Sequence, residues 1–194
     1  NALIDMGNVC FKLFDYETAL KLFKKVFVLN PDNELIAVCI ANALTLMKER
    51  EQAYSYYEKA LSMTDDKYRI YICYAISLTE FKEFDMAEEM FKRAIEFDSK
   101  KSNAYVLLAN LYSNSDRIKE AIDLYRKALQ VEPNNPETYT LLGNAHFLDN
   151  DIEQAISSYR ASISLAPDND EYRLIYSQVM EDYVSSVRGV GNDA

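Results

Sequence analysis

The stretch Ala121–Pro133, AIDLYRKALQVEP, decides the fold of this 194-residue chain. Ala121, Tyr125 and Ala128 stand at positions i, i+4 and i+7, so they share one face of a helix. The two alanines let another helix approach closely, and the tyrosine fills the space between them. Pro133 cannot continue the helix and helps to end it.

The same phrase recurs every 34 residues along the chain without an insertion. Its small, aromatic and small positions are occupied by Ala19, Phe23 and Val26; Ala53, Tyr57 and Ala60; Ala87, Phe91 and Ala94; and Ala155, Tyr159 and Ser162. A fixed period of this length indicates a repeat protein in which each unit packs on its neighbours.

A leading helix precedes this second helix in every period. Its inward positions are Leu3, Met6, Gly7 and Cys10 in the first period, and Tyr139, Leu142, Gly143 and His146 in the fifth. The pattern resembles the tetratricopeptide repeat (TPR) family, whose signature is W-x2-L-G-x2-Y followed by A-x3-F, A and P. The resemblance implies an all-α right-handed superhelix, an alpha-solenoid of antiparallel helix pairs. The predicted repeats are 1–33, 34–67, 68–101, 102–135 and 136–169.

A last amphipathic segment follows Pro167. We predict a capping helix over 170–188 that continues the inward stripe with Leu174, Tyr176, Ser177, Met180 and Val184. Residues 189–194 are predicted to be a flexible tail. The first repeat shows no matching polar cap, so we expect further sequence upstream of Asn1 and a single array over 1–188.

Composition argues against several classes of partner. The net charge of −10 disfavours nucleic-acid binding and docking on anionic lipid, which both need clustered cations. No apolar run reaches the roughly 18 residues that span a bilayer. Three cysteines in no metal-ligand spacing are expected to be free thiols, because stacked helices hold them too far apart for a disulfide. This usage favours a reducing compartment, and we expect a cytoplasmic protein.

Few residues could support catalysis. The single histidine, His146, occupies a core-facing position and has no second ligand near it by spacing. Asp149–Glu153 lacks the glycine and the final glutamate of a calcium loop, so it is interpreted as a turn and helix cap. No phosphate-binding glycine loop or nucleophile elbow is present. We therefore predict no enzyme activity, no metal and no cofactor, with Tyr54 and Tyr56 left open as phosphorylation sites.

The TPR resemblance implies that ligands contact the leading helices. The position after the glycine slot is filled by Asn8, Asn42, Ile76, Asn110 and Asn144, which we call the ladder. An asparagine amide can donate and accept, as an extended peptide backbone requires. The alternative is that these are ordinary polar residues on an exposed face. If the ladder binds a ligand, alanine at Asn42 and Asn110 is expected to weaken binding with stability nearly unchanged.

Two rows of mostly apolar residues flank the ladder. One row contains Ile4, Val38, Ile72, Val106 and Thr140, and the other contains Asp5, Cys39, Cys73, Leu107 and Leu141. Packing between leading helices and pockets for apolar ligand side chains are both compatible with these rows. Arg69 adds a cation to the candidate groove. Only Asn8 and Arg69 match the carboxylate clamp that TPR cochaperones use, so we predict no such clamp.

The predicted function is a non-catalytic scaffold that binds a peptide or protein segment in a concave groove. Two alternatives stay open. The array could be the regulatory or substrate-recruiting part of a larger enzyme, or it could self-associate end to end, with the uncapped first repeat docking on the cap helix of another chain.

Overall fold

The computed structural model describes the backbone of residues 2–190 and their side chains except at residues 182 and 185–190. Within that range the chain forms eleven α-helices and no strand. They are α1 (Ala2–Lys12), α2 (Tyr16–Leu29), α3 (Glu34–Leu46), α4 (Arg50–Met63), α5 (Tyr68–Glu80), α6 (Phe84–Phe97), α7 (Ser102–Ser113), α8 (Ile118–Val131), α9 (Pro136–Leu148), α10 (Ile152–Leu165) and α11 (Asp170–Val190).

Polar side chains start several of these helices. Asp15, Asn33, Asn135 and Asp151 each accept a hydrogen bond from the backbone N–H three residues later. This contact satisfies one of the N–H groups that the first turn of a helix leaves without a partner. The predicted turn and cap at Asp151 is confirmed.

The repeated phrase forms the core, as predicted. Its alanines and aromatic rings are almost fully buried in all five second helices: Ala19, Ala53, Ala87, Ala121 and Ala155, with Phe23, Tyr57, Phe91, Tyr125 and Tyr159. The rings lie close to the leading helices. A Cβ atom added at Gly7 would stand 2.6 Å from Phe23, and one added at Gly143 would stand 2.8 Å from Tyr159. The glycines therefore permit the close approach of the two helices.

The chain divides into two compact units. Unit 1 is Asn1–Ser99 and contains α1 to α6, in which each leading helix packs on its own second helix and α2 also packs on α3. Unit 2 is Lys100–Ala194 and contains α7 to α11, with α8 packed on α9 and α11 packed on α10. Whether both units form the single array expected from the sequence stays a prediction.

Four inward assignments were wrong, one on α1 and three on α11. Met6 is exposed, because α1 is the first helix described and no second helix covers that side of it. On α11, Leu174, Ser177 and Val184 are exposed while Ile175 and Val179 are half-buried, so the buried face is rotated by about one residue. Tyr176 does face inward, 6.1 Å from the Tyr159 ring. Helix α11 continues to Val190, and residues 191–194 of the predicted tail lie outside the described part.

Candidate functional site

The leading helices α1, α3 and α5 line a groove in unit 1. Its larger cavity has a volume of about 450 Å³ and contains Arg69, so we call it the Arg69 cavity. Apolar atoms of Ile4 and Val38 contribute to its walls, together with polar side chains from all three helices. The polar side chains that line it are those of Asn8, Asn33, Glu34, Asn42, Thr64, Asp66 and Arg69, with the thiols of Cys39 and Cys73. The predicted site residues Asn8, Asn42, Val38 and Arg69 are therefore brought together.

A second cavity of about 260 Å³ lies along the same helices. We call it the Ile76 cavity, because Ile76 is 44% exposed there although it is apolar. Phe11 and Leu46 supply further apolar surface. The buried hydroxyls of Thr45 and Ser77, whose oxygens are 2.6 Å apart, also border the cavity. Asn42 lines both cavities and so lies between them.

The asparagines of the ladder are held by tyrosines from the second helices. Tyr57 donates a hydrogen bond from its hydroxyl to Oδ1 of Asn42 at 2.6 Å. The same bond joins Tyr125 to Asn110 at 2.5 Å and Tyr159 to Asn144 at 2.7 Å. Because Oδ1 of Asn42 faces the tyrosine, the amide NH₂ group is the part of this side chain directed away from that bond. Each tyrosine occupies one of the two acceptor sites of Oδ1, so the fixed amides present their NH₂ donors in a set direction and keep one further acceptor site.

Two positions of the ladder depart from this arrangement. Ile76 is matched by Phe91 in its second helix, so neither partner is polar. Asn8 is matched by Phe23, which has no hydroxyl, and Asn8 is exposed. The sequence contained this signal: a tyrosine stands 15 residues after each of the three tethered asparagines. A comparison of the residue types that stand 15 positions apart, one in each helix of a repeat, could have identified the bond.

The hydrogen bonds change one expectation. Alanine at Asn42 or Asn110 removes the acceptor of a tyrosine that is almost fully buried. A buried donor without a partner costs about 1–3 kcal/mol, so these substitutions are expected to lower stability as well as to remove an amide. The expected near-neutral effect on stability is therefore revised.

The two flanking rows differ in accessibility. Val38 and Ile72 are 5% and 7% exposed, and Thr140 is also buried, donating to the carbonyl of Pro136. This row mainly packs between helices, and Ile72 does not line either cavity. Cys39 and Cys73 in the other row are half-buried and line the Arg69 cavity. Packing thus explains Ile72 and Thr140 of the first row. Ile4 and Val38 of that row also line the Arg69 cavity, together with Cys39 and Cys73 of the second row.

The three cysteines are free, as predicted. Burial raises the pKa of both Cys39 and Cys73, and the nearby Arg69 guanidinium opposes that rise. Both thiols are therefore protonated near neutral pH and contribute small, weakly polar surfaces to the groove.

Unit 2 carries the remaining predicted site residues. Asn110 and Val106 lie on α7 and Asn144 lies on α9, and all three are half-buried. Their tyrosine bonds repeat the geometry of Asn42. The two units therefore present amides in the same local setting, although only unit 1 places its amide between the two cavities defined above.

His146 is the residue that the sequence offered for catalysis or metal binding. His146 is 3% exposed, and its Nδ1 atom has no hydrogen-bond partner. Burial, followed by the Arg126 charge, lowers its pKa.

Among the residues described, no cluster of three or more His, Cys, Asp or Glu side chains could hold a metal ion. None of the helices described combines the length and hydrophobicity needed to cross a membrane.

Sequence comparisons agree with the repeat pattern. Family models described as "Tetratricopeptide repeat" match residues 1–33, 40–67 and 136–169, and a model described as "TPR repeat" matches residues 115–150. Comparison with curated proteins finds no significant match.

Solved TPR structures resemble the chain in fold. MamA from Desulfovibrio magneticus RS-1 is 16% identical with a TM-score of 0.69, covering 87% of this chain and 96% of its own. The thermophilic TPR protein TTC0263 from Thermus thermophilus is 16% identical with a TM-score of 0.70, covering 92% and 97%. YrrB, described as a TPR protein with an unusual peptide-binding site, is 16% identical with a TM-score of 0.65, covering 92% and 90%. At these identities the likeness concerns the fold.

Proposed function

The chain belongs to the tetratricopeptide repeat family, and from that premise we propose that it is a non-catalytic interaction module that binds a peptide segment of a partner protein in the groove of unit 1. The observation that carries the proposal is the position of Asn42. Its amide is fixed by Tyr57 and lies between two cavities of different character. A fixed donor between side-chain pockets is what recognition of an extended peptide uses.

The chemistry of the groove defines the ligand. The NH₂ group of Asn42 donates to a main-chain carbonyl of the peptide, because the bond from Tyr57 to Oδ1 holds the amide with its NH₂ directed away from the tyrosine. The Ile76 cavity accepts an apolar side chain against Phe11, Leu46 and Ile76. Asn8 and Arg69 add further donors in the Arg69 cavity. The YrrB resemblance supports peptide binding as a use of this fold, although the residues named here come from this chain.

The experiment is a selection of random peptides of about 12 residues displayed on phage, long enough to cross several repeats in an extended conformation. The purified chain is the bait, and affinities of the enriched peptides are measured by titration calorimetry. Asn42→Asp keeps an oxygen acceptor for Tyr57 but replaces the NH₂ donor with a second oxygen. We expect the affinity to fall about tenfold, which corresponds to about 1.4 kcal/mol. The enriched peptides should share a large apolar residue.

Asn144→Asp is the matched control. It makes the same chemical change beside Tyr159, at the same repeat position, but in unit 2. It should leave the affinity of the selected peptides unchanged. Equal binding by Asn42→Asp and the native chain, or failure to enrich any peptide, would show the proposal to be wrong.

A further inference from the structure

The outer side of α2 carries a cluster of cations. Lys21, Lys24 and Lys25 stand at positions i, i+3 and i+4, and Val28 follows one turn later, so the four side chains lie on one side of the helix. Lys21 and Lys25 are exposed and Lys24 is half-buried. Val28 is 79% exposed although it is apolar. This side of α2 therefore combines positive charge with an accessible apolar residue.

Helix α4 adds a fourth cation beside α2. Nζ of Lys59 lies 4.4 Å from the centroid of the Phe27 ring, and Phe27 stands three residues after Lys24 on α2. We call the four lysines and Val28 the α2 patch. The carboxylates of Asp15 and Glu17 lie at the N-terminal end of α2, so the positive charge is concentrated toward its C-terminal half.

Second helices that follow another repeat expose the same positions. The residues that correspond to Lys21, Lys24, Lys25 and Val28 are exposed throughout α4 and α6. They are Ser55, Glu58, Lys59 and Ser62 on α4, and Glu89, Lys92, Arg93 and Glu96 on α6. A neighbouring repeat on either side of a second helix thus leaves this face accessible, and the exposure of the α2 patch is a property of the repeat.

The charge of the patch is particular to α2. On α6 the positions of Lys24 and Lys25 hold Lys92 and Arg93, each of which forms an ion pair with the glutamate four residues earlier. On α2 the residues four positions earlier are a leucine and a lysine, so neither lysine has a carboxylate at the pairing position. The patch is therefore a local concentration of positive charge on a chain whose net charge is −10.

We propose that the α2 patch binds an acidic amphipathic helix of a partner protein. Side chains three and four residues apart on a helix are about 5–6 Å apart, so carboxylates with the same spacing on a second helix can face the lysines of α2. An apolar side chain among those carboxylates covers Val28. No residue of the patch lines the Arg69 cavity or the Ile76 cavity, so this surface is independent of peptide binding in the groove.

Other polyanions match the patch less well. A lysine near an anionic membrane contributes only about 1 kcal/mol, and a flat bilayer also meets the acidic surface that surrounds the patch. A nucleic acid extends in the same way beyond four lysines and is repelled by that surface. A single helix contacts the patch alone, so charge complementarity favours it.

Fluorescence anisotropy with a labelled designed peptide tests the proposal. The probe has about 18 residues, because isolated helices much shorter than that are marginal in water. It carries glutamates at spacings of three and four residues on one face, one leucine among them, and alanine and glutamine elsewhere. It should bind the native chain, with an affinity that falls as salt rises. The double variant Lys24→Gln, Lys25→Gln should lower the affinity about tenfold.

The matched control is Lys92→Gln, Arg93→Gln, which removes the same charge from the same repeat positions of α6 and should leave the affinity unchanged. The groove variant Asn42→Asp should also bind the probe normally. A peptide of the same composition with its glutamates spread around the helix should bind about tenfold more weakly. Absence of probe binding, equal losses in the α2 and α6 variants, or equal binding of the two peptides would each contradict the proposal. Binding to phosphatidylserine vesicles without binding to the probe would assign the patch to membranes instead.

Discussion

The bond between an asparagine and a tyrosine is the residue-scale unit of the candidate site. Tyr125 is 2% exposed, and burial raises its pKa to about 12, so its hydroxyl is neutral and remains a donor. Asn110 supplies the acceptor that this buried hydroxyl needs. The third repeat has Phe91 and Ile76 at the equivalent positions and so requires no bond. The contact between the two helices of a repeat is thus made by a hydrogen-bonded pair in one repeat and by an apolar pair in another.

This comparison predicts a coupled pair of substitutions. Asn110→Ile should destabilise the chain by about 1–3 kcal/mol, because it leaves the Tyr125 hydroxyl buried without an acceptor. Tyr125→Phe should cost about 0.5–1.5 kcal/mol. The double variant reproduces the Ile76–Phe91 pair, so its cost should be smaller than the sum of the single effects by at least about 0.5 kcal/mol. Urea unfolding of the four chains measures the coupling. Additive effects would mean that the hydrogen bond does not contribute to stability.

At the scale of the element, the turn within each helix pair has one backbone conformation. Phe14, Lys48, Lys82, Asp116 and Asn150 all have φ near +60°, at intervals of 34 residues. In the third repeat the N–H of Lys82 bonds the carbonyl of Thr79, and the N–H of Glu83 bonds the carbonyl of Leu78. This is a Schellman motif, which usually places glycine at the left-handed residue. None of the five turns uses glycine. The turns with Phe14, Lys48 and Lys82 at this position carry backbone strain, whereas aspartate and asparagine tolerate the conformation better.

Lys82→Gly is therefore expected to stabilise the chain. A side chain in the left-handed region costs about 1–2 kcal/mol, and glycine loses about 0.5–1 kcal/mol through the greater entropy of its unfolded state. The expected net gain is about 0.5–1 kcal/mol, seen as a higher midpoint in urea unfolding. Lys82→Ala keeps the strain and should give no gain. Asn150→Gly should have little effect, because asparagine already tolerates this conformation. A gain from Lys82→Ala equal to that from Lys82→Gly would locate the effect in the lysine side chain instead.

For the whole molecule, the 34-residue period was sufficient to predict the helix pairs and the buried small and aromatic residues. It placed Asn8, Asn42 and Arg69 on one surface, and they do line one cavity. The period could not show that Oδ1 of Asn42 is engaged, because that bond joins side chains of two different helices.

The end helices limited prediction from the sequence for another reason. The repeat pattern alone treats every leading helix alike, but Met6 of α1 has no preceding helix to cover it among the residues described. Leu174 of α11 was assigned inward by continuing the stripe, yet it is exposed because the buried face is rotated. Packing partners, rather than periodicity, determine burial at these positions.

The distribution of histidine gives a prediction about the two units. His146 on α9 is the only histidine in the chain, so unit 1 has none. Its pKa is lowered by burial and by Arg126, while Asp151 and Asp149 oppose the shift. The unfolded chain, with a histidine pKa near 6.5, therefore binds a proton more readily than the folded one. Stability from neutral His146 is fully present above that pH and is lost as pH falls through the folded pKa.

Native-state hydrogen exchange, corrected for the intrinsic rate at each pH, tests this dependence. Unit 2 should lose protection as the pH falls below about 6.5, while unit 1 keeps it. His146→Leu, which copies the leucine at positions 44 and 78, should remove this dependence. Equal loss of protection in both units, or persistence of the loss in His146→Leu, would assign the pH response to other groups.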